Sequence, residues 1–237
     1  MSWTFTPDEF AHIWRETEVD RHPYPLRILE TPRTEAEADT LRAQLDERLP
    51  LRSDPDLSAC LRILAAPQTR IVAIGGGHGS GSEIRLLACA IYDRAVLAIQ
   101  EPGSGPDFGG CVRLSIGHSA KLGTRIAALL PAVPAGHEPA RAASADAIRD
   151  DETVVVSQRM VPAIRRLLLK PHTAEGHIRI EGRLDHPSPQ PPIHYTWIDV
   201  KGDGRYLIKA GETVHIVPAS AGQLATQLQK RIPAPAQ

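Results

Sequence analysis

The sequence predicts an α+β fold in which a duplicated half-unit builds one continuous β-sheet with pseudo-twofold symmetry. The first observation behind this is a repeat: Val112–Pro131 (VRLSIGHSAKLGTRIAALLP) aligns without a gap to Val214–Pro233 (VHIVPASAGQLATQLQKRIP). In both, alternating apolar residues (Val112, Leu114, Ile116; Val214, Ile216) give way to helical spacing (Leu122, Ile126, Leu130; Leu224, Leu228, Ile232). A period of two that switches to one near 3.6 marks strand, turn and amphipathic helix. The second observation is that the likeness extends backwards: Asp93–Ile99 (DRAVLAI) resembles Asp203–Lys209 (DGRYLIK), and Ser58–Pro67 resembles Val161–Pro171. Each half therefore reads helix, strand, strand, strand, helix, and the order of elements favours duplication over convergence of two generic β-α units. The third is physical. Two open sheets each expose an edge, and pairing those edges satisfies their backbone groups, with helices packed at the sheet ends or on one face.

The elements follow in order. Trp3 and Phe5 alternate as a short edge strand. Thr6-Pro7-Asp8-Glu9 supplies an N-cap, a proline at the first helical position and a capping glutamate. Phe10, Ile13 and Trp14 then give that helix one buried aromatic face. His22-Pro23-Tyr24-Pro25 cannot continue a helix and leads into an extended Leu26–Leu29. Thr34 opens a second capped helix with Leu41, Leu45 and Leu49 at i+4 spacing, and Asp54-Pro55 starts a third that ends before Pro67. Strands are expected over 70–75, 86–92, 95–100 and 111–116, with a helix over 119–130. Residues 132–144, rich in proline and alanine, read as a linker between a first half (1–131) and a second half (145–237) of one compact domain. Helical material lies between Ala145 and Lys170, kinked or restarted at Pro162. Strands follow over 177–182, 194–201, 205–209 and 213–217, and Ser220-Ala221-Gly222-Gln223 caps the last helix. Phe10, Ile13, Trp14, Leu41, Leu45, Leu122, Ile126, Leu224 and Leu228 are the expected core.

Composition narrows the function. A chain of 237 residues buries about 70–75% of its unfolded surface. Its 27 basic and 28 acidic residues give no footprint for nucleic acid or an acidic membrane. Cys60, Cys89 and Cys111 are isolated among apolar neighbours and read as small hydrophobes. The N-terminal MSWTFTPDEF has no signal-peptide pattern, and no run reaches the ~18 apolar residues of a membrane span, so a cytoplasmic protein is expected.

The glycine-rich segment Gly75–Ser82 is the one stretch that invites an enzyme reading. It fails G-x-G-x-x-G at every start and has no Gly-Lys-Ser/Thr, so an inter-strand loop is the better reading than a phosphate cradle. A nucleotide-binding enzyme using this loop stays open as an alternative, as does a non-catalytic self-associating structural protein. His172 and His177 are wrongly spaced for one helix face or one strand face. His194 and His215 lie in expected strands and could converge with Asp199. Ser115, Ser119 and Ser157 lack a nucleophile elbow. Asp8, Glu9, Glu35, Glu37, Asp150, Asp151 and Glu152 sit in helix first turns, where the dipole accounts for them. No catalytic residue, metal site or cofactor is assigned.

Trp3–Phe10 (WTFTPDEF), Trp14, Pro23–Leu26 (PYPL), Asp93–Gln100 (DRAVLAIQ), Gly204–Leu207 (GRYL) and Val217–Leu224 (VPASAGQL) together resemble, in order, the EspG family of chaperones of type VII (ESX) secretion in actinobacteria. The resemblance implies a central, largely antiparallel sheet with two helical bundles. It implies binding of a cytosolic PE–PPE heterodimer at the apolar tip of the PPE helices, without covalent chemistry or cofactor. In the family, contact comes from the loop between the second and third strands, the sheet and the C-terminal helical bundle. The client-binding residues expected here are Gly76, Gly77, His78, Gly79 and Ser80 of the loop, Trp197 and Asp199 of the sheet, and Gln223, Gln227 and Arg231 along the terminal helix. The partner is a PE–PPE heterodimer or a related helical protein, with neither nucleic acid nor membrane, and the chain is a monomer or homodimer.

Overall fold

A computed structural model describes residues 1–77, 82–105, 108–149 and 160–232. Ten strands form one antiparallel sheet: β1 (Ser2–Phe5), β2 (Thr69–Gly77), β3 (Glu83–Ile91), β4 (Arg94–Pro102), β5 (Gly109–His118), β6 (Arg141–Ser144), β7 (His172–Gly182), β8 (Ile193–Val200), β9 (Gly204–Lys209) and β10 (Thr213–Pro218). Their spatial order is β1-β5-β4-β3-β2-β7-β8-β9-β10-β6. Read outward from the central β2–β7 pair, each half repeats the other: β3 with β8, β4 with β9, β5 with β10, and the short edge strands β1 with β6. The duplicated halves thus meet edge to edge, in register from Thr69 opposite Gly182 to Gly77 opposite Ala174.

Two details differ from the sequence reading. Each half holds the four consecutive strands that the alternation marks, one more than the three-strand outline of the repeat. Arg141–Ser144, expected within the linker, is β6. Its small side chains give no apolar alternation, and it is held by pairing with β10.

Helices cover both faces. On one face lie α1 (Pro7–Trp14), α2 (Glu35–Arg48) and α3 (Pro55–Ala65) over the first half, and α5 (Ala145–Arg149) and α6 (Met160–Leu168) over the second. The apolar stripes of α1 and α3 bury Phe10, Ile13, Trp14, Leu61 and Leu64 against Val72, Leu87, Val96 and Leu114. Ile164 and Leu167 of α6 do the same against Ile198, Tyr206 and Ile216. We call this the bundle face. On the opposite face, α4 (Leu122–Ala127) and α7 (Ala221–Gln229) pack against each other across the sheet centre, burying Leu122, Ile126, Leu224 and Leu228. Alternation assigns the strand residues: Ile71, Ala73, Trp197 and Leu207 face the α4–α7 pair, while Val72, Ile198 and Tyr206 face the bundles.

The capping signals act as read. Thr6 Oγ1 accepts from Glu9 N while Glu9 accepts from Thr6 N, and Thr34–Glu37 and Ser220–Gln223 repeat the reciprocal pair. Pro162 falls in the first turn of α6, where its missing N–H costs no hydrogen bond. Of the expected core, Leu41 alone is only half-buried, and Leu45 is the one buried residue of α2. Residues four apart rotate by about 40° per step from a single face, so an i+4 row spirals away from its contact.

The α4–α7 crossing lies on the pseudo-twofold axis. In the repeat alignment Gly123 is the counterpart of Ala225, and the two meet: a Cβ on Gly123 would come within 2.4 Å of the Ala225 carbonyl oxygen. The pair is locked asymmetrically by Gln229, whose amide accepts from Gly123 N and donates to Ser119 O at 3.0 Å each.

Candidate functional site

The sequence-expected site residues do not assemble into one surface. Trp197 and Asp199 are fully buried. The indole lies over the glycines of the central strands, and a Cβ on Gly75 would come within 2.8 Å of Trp197 Cη2. Asp199 receives two hydrogen bonds from the Arg205 guanidinium, both 2.7 Å, and Arg205 also donates to Pro131 O. Neither side chain offers a surface to a partner, which corrects that assignment. The reason is positional. Both point to the face that α4 and α7 cover, and an aromatic followed two residues later by an acid reads the same in sequence whether that face is open or closed.

Gly76 and Gly77 belong to β2 rather than to a loop. Gly75 pairs with Ile84 on one side and Gly176 on the other, and Gly76 with Glu83 and Glu175. Their backbone groups are spent in the ladder, and the next described element is a strand, not a helix. Gly75–Gly77 therefore does not form the phosphate-binding strand–loop–helix arrangement. His78, Gly79 and Ser80 lie outside the described residues, as do Asp150, Asp151, Glu152 and Ser157. On α7, Gln223 is occupied in the cap with Ser220 and Gln227 is half-buried; Arg231, just past the helix end, is exposed. His194 and His215 do not converge on Asp199: His194 faces the bundle side, whereas Asp199 is buried beneath the other face. Among the described residues no group of three His, Cys, Asp or Glu side chains is placed to hold a metal ion. Burial pushes the Cys60 and Cys89 thiols up to about 12, which leaves both protonated and unreactive at neutral pH.

An open surface does exist on the bundle face, between the α1–α3 bundle and α6. Its floor is the middle of the sheet. Glu175, His177 and Arg179 of β7 and His194 of β8 are exposed, alternating with buried Gly176, Ile178 and Tyr195. The floor is ordered by its own contacts: Arg179 and Arg70 share Glu181 at 2.6 and 3.6 Å, and His177 Nδ1 lies 3.0 Å from Thr196 Oγ1. Tyr24, 62% exposed, stands at the bundle wall and borders two hollows. One, of ≈300 Å³, is bounded by Ile74, Gly75 and Arg85. The other, of ≈290 Å³, is bounded by Trp14, Arg70 and Arg179. The cleft opens at one end where β2 runs out at Gly77, beside the start of β7. The sequence reading did not assign Tyr24, His177 or Arg179 to the client surface. The usable signal was the alternation in β7, where polar residues in every second position of a central strand leave one face uncovered.

A ten-stranded pseudosymmetric sheet, a cleft walled by two helical bundles and ordinary surface chemistry define a binding scaffold of α+β class. The chain belongs to the EspG family, whose sequence model matches residues 6–230. No curated protein matches the sequence. Fourteen chains of solved structure match it in fold. One is the Mycobacterium tuberculosis type VII secretion system chaperone EspG5, solved in complex with a PE25–PPE41 dimer. It is 15% identical, with a TM-score of 0.61 over 100% of this chain and 99% of that one. No helix among the described residues is long and apolar enough to cross a membrane.

Proposed function

We propose that this protein is a cytoplasmic chaperone of a type VII secretion system. It binds a PE–PPE-type heterodimer, keeps the apolar helical tip of that client soluble and passes it to the secretion machine, without catalysis or cofactor. The observation that carries this reading is family membership over residues 6–230, joined to a fold shared along the whole chain with a chaperone solved on such a dimer.

The client surface we infer is the bundle-face cleft. The three elements that the family uses (the second-to-third strand loop, the sheet and the C-terminal bundle) are represented there by the end of β2, the floor of β7 and β8, and α6. Tyr24 and Ile74 supply apolar contact, and Arg179 and His177 supply polar anchoring. A stable complex of this kind buries roughly 800 Å² per partner, with an exposed aromatic such as Tyr24 as the natural anchor. Of the residues first expected to bind, Gly76 and Gly77 remain within this reading, at the end of the cleft where β2 runs out. Gln223, Gln227 and Arg231 belong to the other face.

The test is co-expression with a PE–PPE pair encoded beside a type VII secretion locus of the same organism. A ternary complex stable through gel filtration is expected, with a client that aggregates when expressed alone. Tyr24→Ala with Arg179→Glu should weaken capture while circular dichroism stays native. A client that remains unbound by the wild-type chain overturns the function, and capture unaffected by the folded double variant overturns the cleft.

A further inference from the structure

The α4–α7 layer, on the face away from the bundles, carries charge of one sign. Neither Asp nor Glu occurs from Gly109 to His137 or from Thr213 to Gln237, the two stretches that contain these helices. Lys121, Arg125, Lys230 and Arg231 lie in this layer, and among the described residues none has a carboxylate partner; Arg125 donates to Ser115 Oγ. The two helices and the turns that flank them are therefore uniformly basic.

Between the two helices runs a groove of ≈570 Å³. Its walls are small: Thr124, Ala127 and Ala128 from one helix, and Ala221, Gly222 and Thr226 from the other. Lys230 lines one end. Lys121 belongs to that end as well, because Gln229 ties the end of α7 to the start of α4. The groove has hollows but no knobs, so its complement must bring the knobs. A second copy presenting the same face brings neither knobs nor opposite charge. A membrane surface is also poorly met, since none of these wall residues is aromatic or large enough to insert between lipids.

We propose that this groove is a second docking site, for an amphipathic α-helix of a partner protein that carries large aliphatic side chains on one face and carboxylates along its borders. Aliphatic knobs at i and i+4 fill the small-residue groove, and the carboxylates meet Lys121 and Lys230. The site goes beyond the client function and does not depend on it. It lies on the opposite side of the sheet from the cleft and stays open when the cleft is filled.

The probe is a synthetic helical peptide of about 18 residues, long enough to be helical and to span the groove, with leucines at i, i+3, i+4 and i+7 and glutamates flanking them. Its control is the same peptide with lysines in place of the glutamates. Fluorescence anisotropy should show saturable binding of the glutamate peptide by the full chain and none of the lysine peptide. Lys121→Glu with Lys230→Glu should weaken binding at least about tenfold, as reversal of two rim charges requires. Thr226→Trp, which fills the groove, should abolish it with native circular dichroism retained. Absence of binding overturns the proposal, as does equal binding of both peptides or binding indifferent to the two variants. Association with anionic phosphatidylglycerol vesicles that Lys121→Glu/Lys230→Glu abolishes, with no binding of the peptide, assigns the layer to a lipid surface and overturns it as well.

Discussion

The indole of Trp197 is packed directly on the backbone of Gly176: a Cβ added there would come within 2.1 Å of Cη2 and 2.5 Å of Cζ2. The two residues are cross-strand partners in β8 and β7, next to the seam where the halves join. A bare glycine in a strand interior weakens the strand, and an aromatic laid across it restores the missing packing. Gly176→Ala should therefore destabilise the protein by about 1–3 kcal/mol through overpacking, read as a lowered urea midpoint. In the Trp197→Leu background the same alanine should cost less, with a remainder from the Ile74 carbonyl oxygen, which its methyl also meets within 2.3 Å. Equal cost in both backgrounds would show that the indole is not what the methyl meets.

Asp199 and Arg205 form a fully buried bidentate pair at the end of the sheet near the start of α7. Removing one partner strands the other charge, so Asp199→Leu or Arg205→Met alone should cost about 3–5 kcal/mol. The combined Asp199→Leu/Arg205→Met change should cost less than the sum of its parts. A double-mutant cycle by chemical denaturation checks this, and strict additivity would refute the coupling.

Asp203 anchors the segment after the first half to the second. Burial alone would raise its carboxyl. Hydrogen bonds from His137 N, the Tyr206 hydroxyl, Lys170 and the His137 ring outweigh burial and bring it to about 2, below its ordinary 3.8. The pKa is lower folded than unfolded, so this stabilisation is present above pH 3.8 and is lost as pH falls from there towards 2. The stability gap between wild type and Asp203→Asn should be constant near neutral pH and shrink across that acid window. A gap independent of pH would mean that the carboxylate charge contributes nothing.

Gln229 fastens α4 to α7: its amide oxygen accepts from Gly123 in the first turn of α4, and its NH2 donates to Ser119 O in the turn just before it. Gln229→Ala should cost about 1 kcal/mol, as loss of a helix cap does. Gly123→Val, which drives a side chain into the Ala225 carbonyl, should cost more. Hydrogen exchange should report the change in α4 amides first. Unchanged protection in α4 with a globally lowered midpoint would argue against a local tether.

The sequence by itself determined the halves, their element types and most of their core. Those are written in periodicity and capping boxes, which act within a few residues: Phe10 and Trp14, Leu122 and Ile126, Leu224 and Leu228 are buried where the spacing places them. That the halves join edge to edge in one sheet was legible too, because two open edges demand partners, while the choice of β2 and β7 as those edges was not. Only the tertiary structure decided which face of each strand is covered. Trp197 and Asp199 went beneath α4 and α7, while His177 and Arg179 were left on an open floor. The Arg141–Ser144 edge strand was likewise set by pairing with β10 rather than by its own composition. Burial depends on what packs across from a residue, and that neighbour comes from a hundred residues away. Alternation tells that a strand has two faces, and only the placement of the helices tells which face meets solvent.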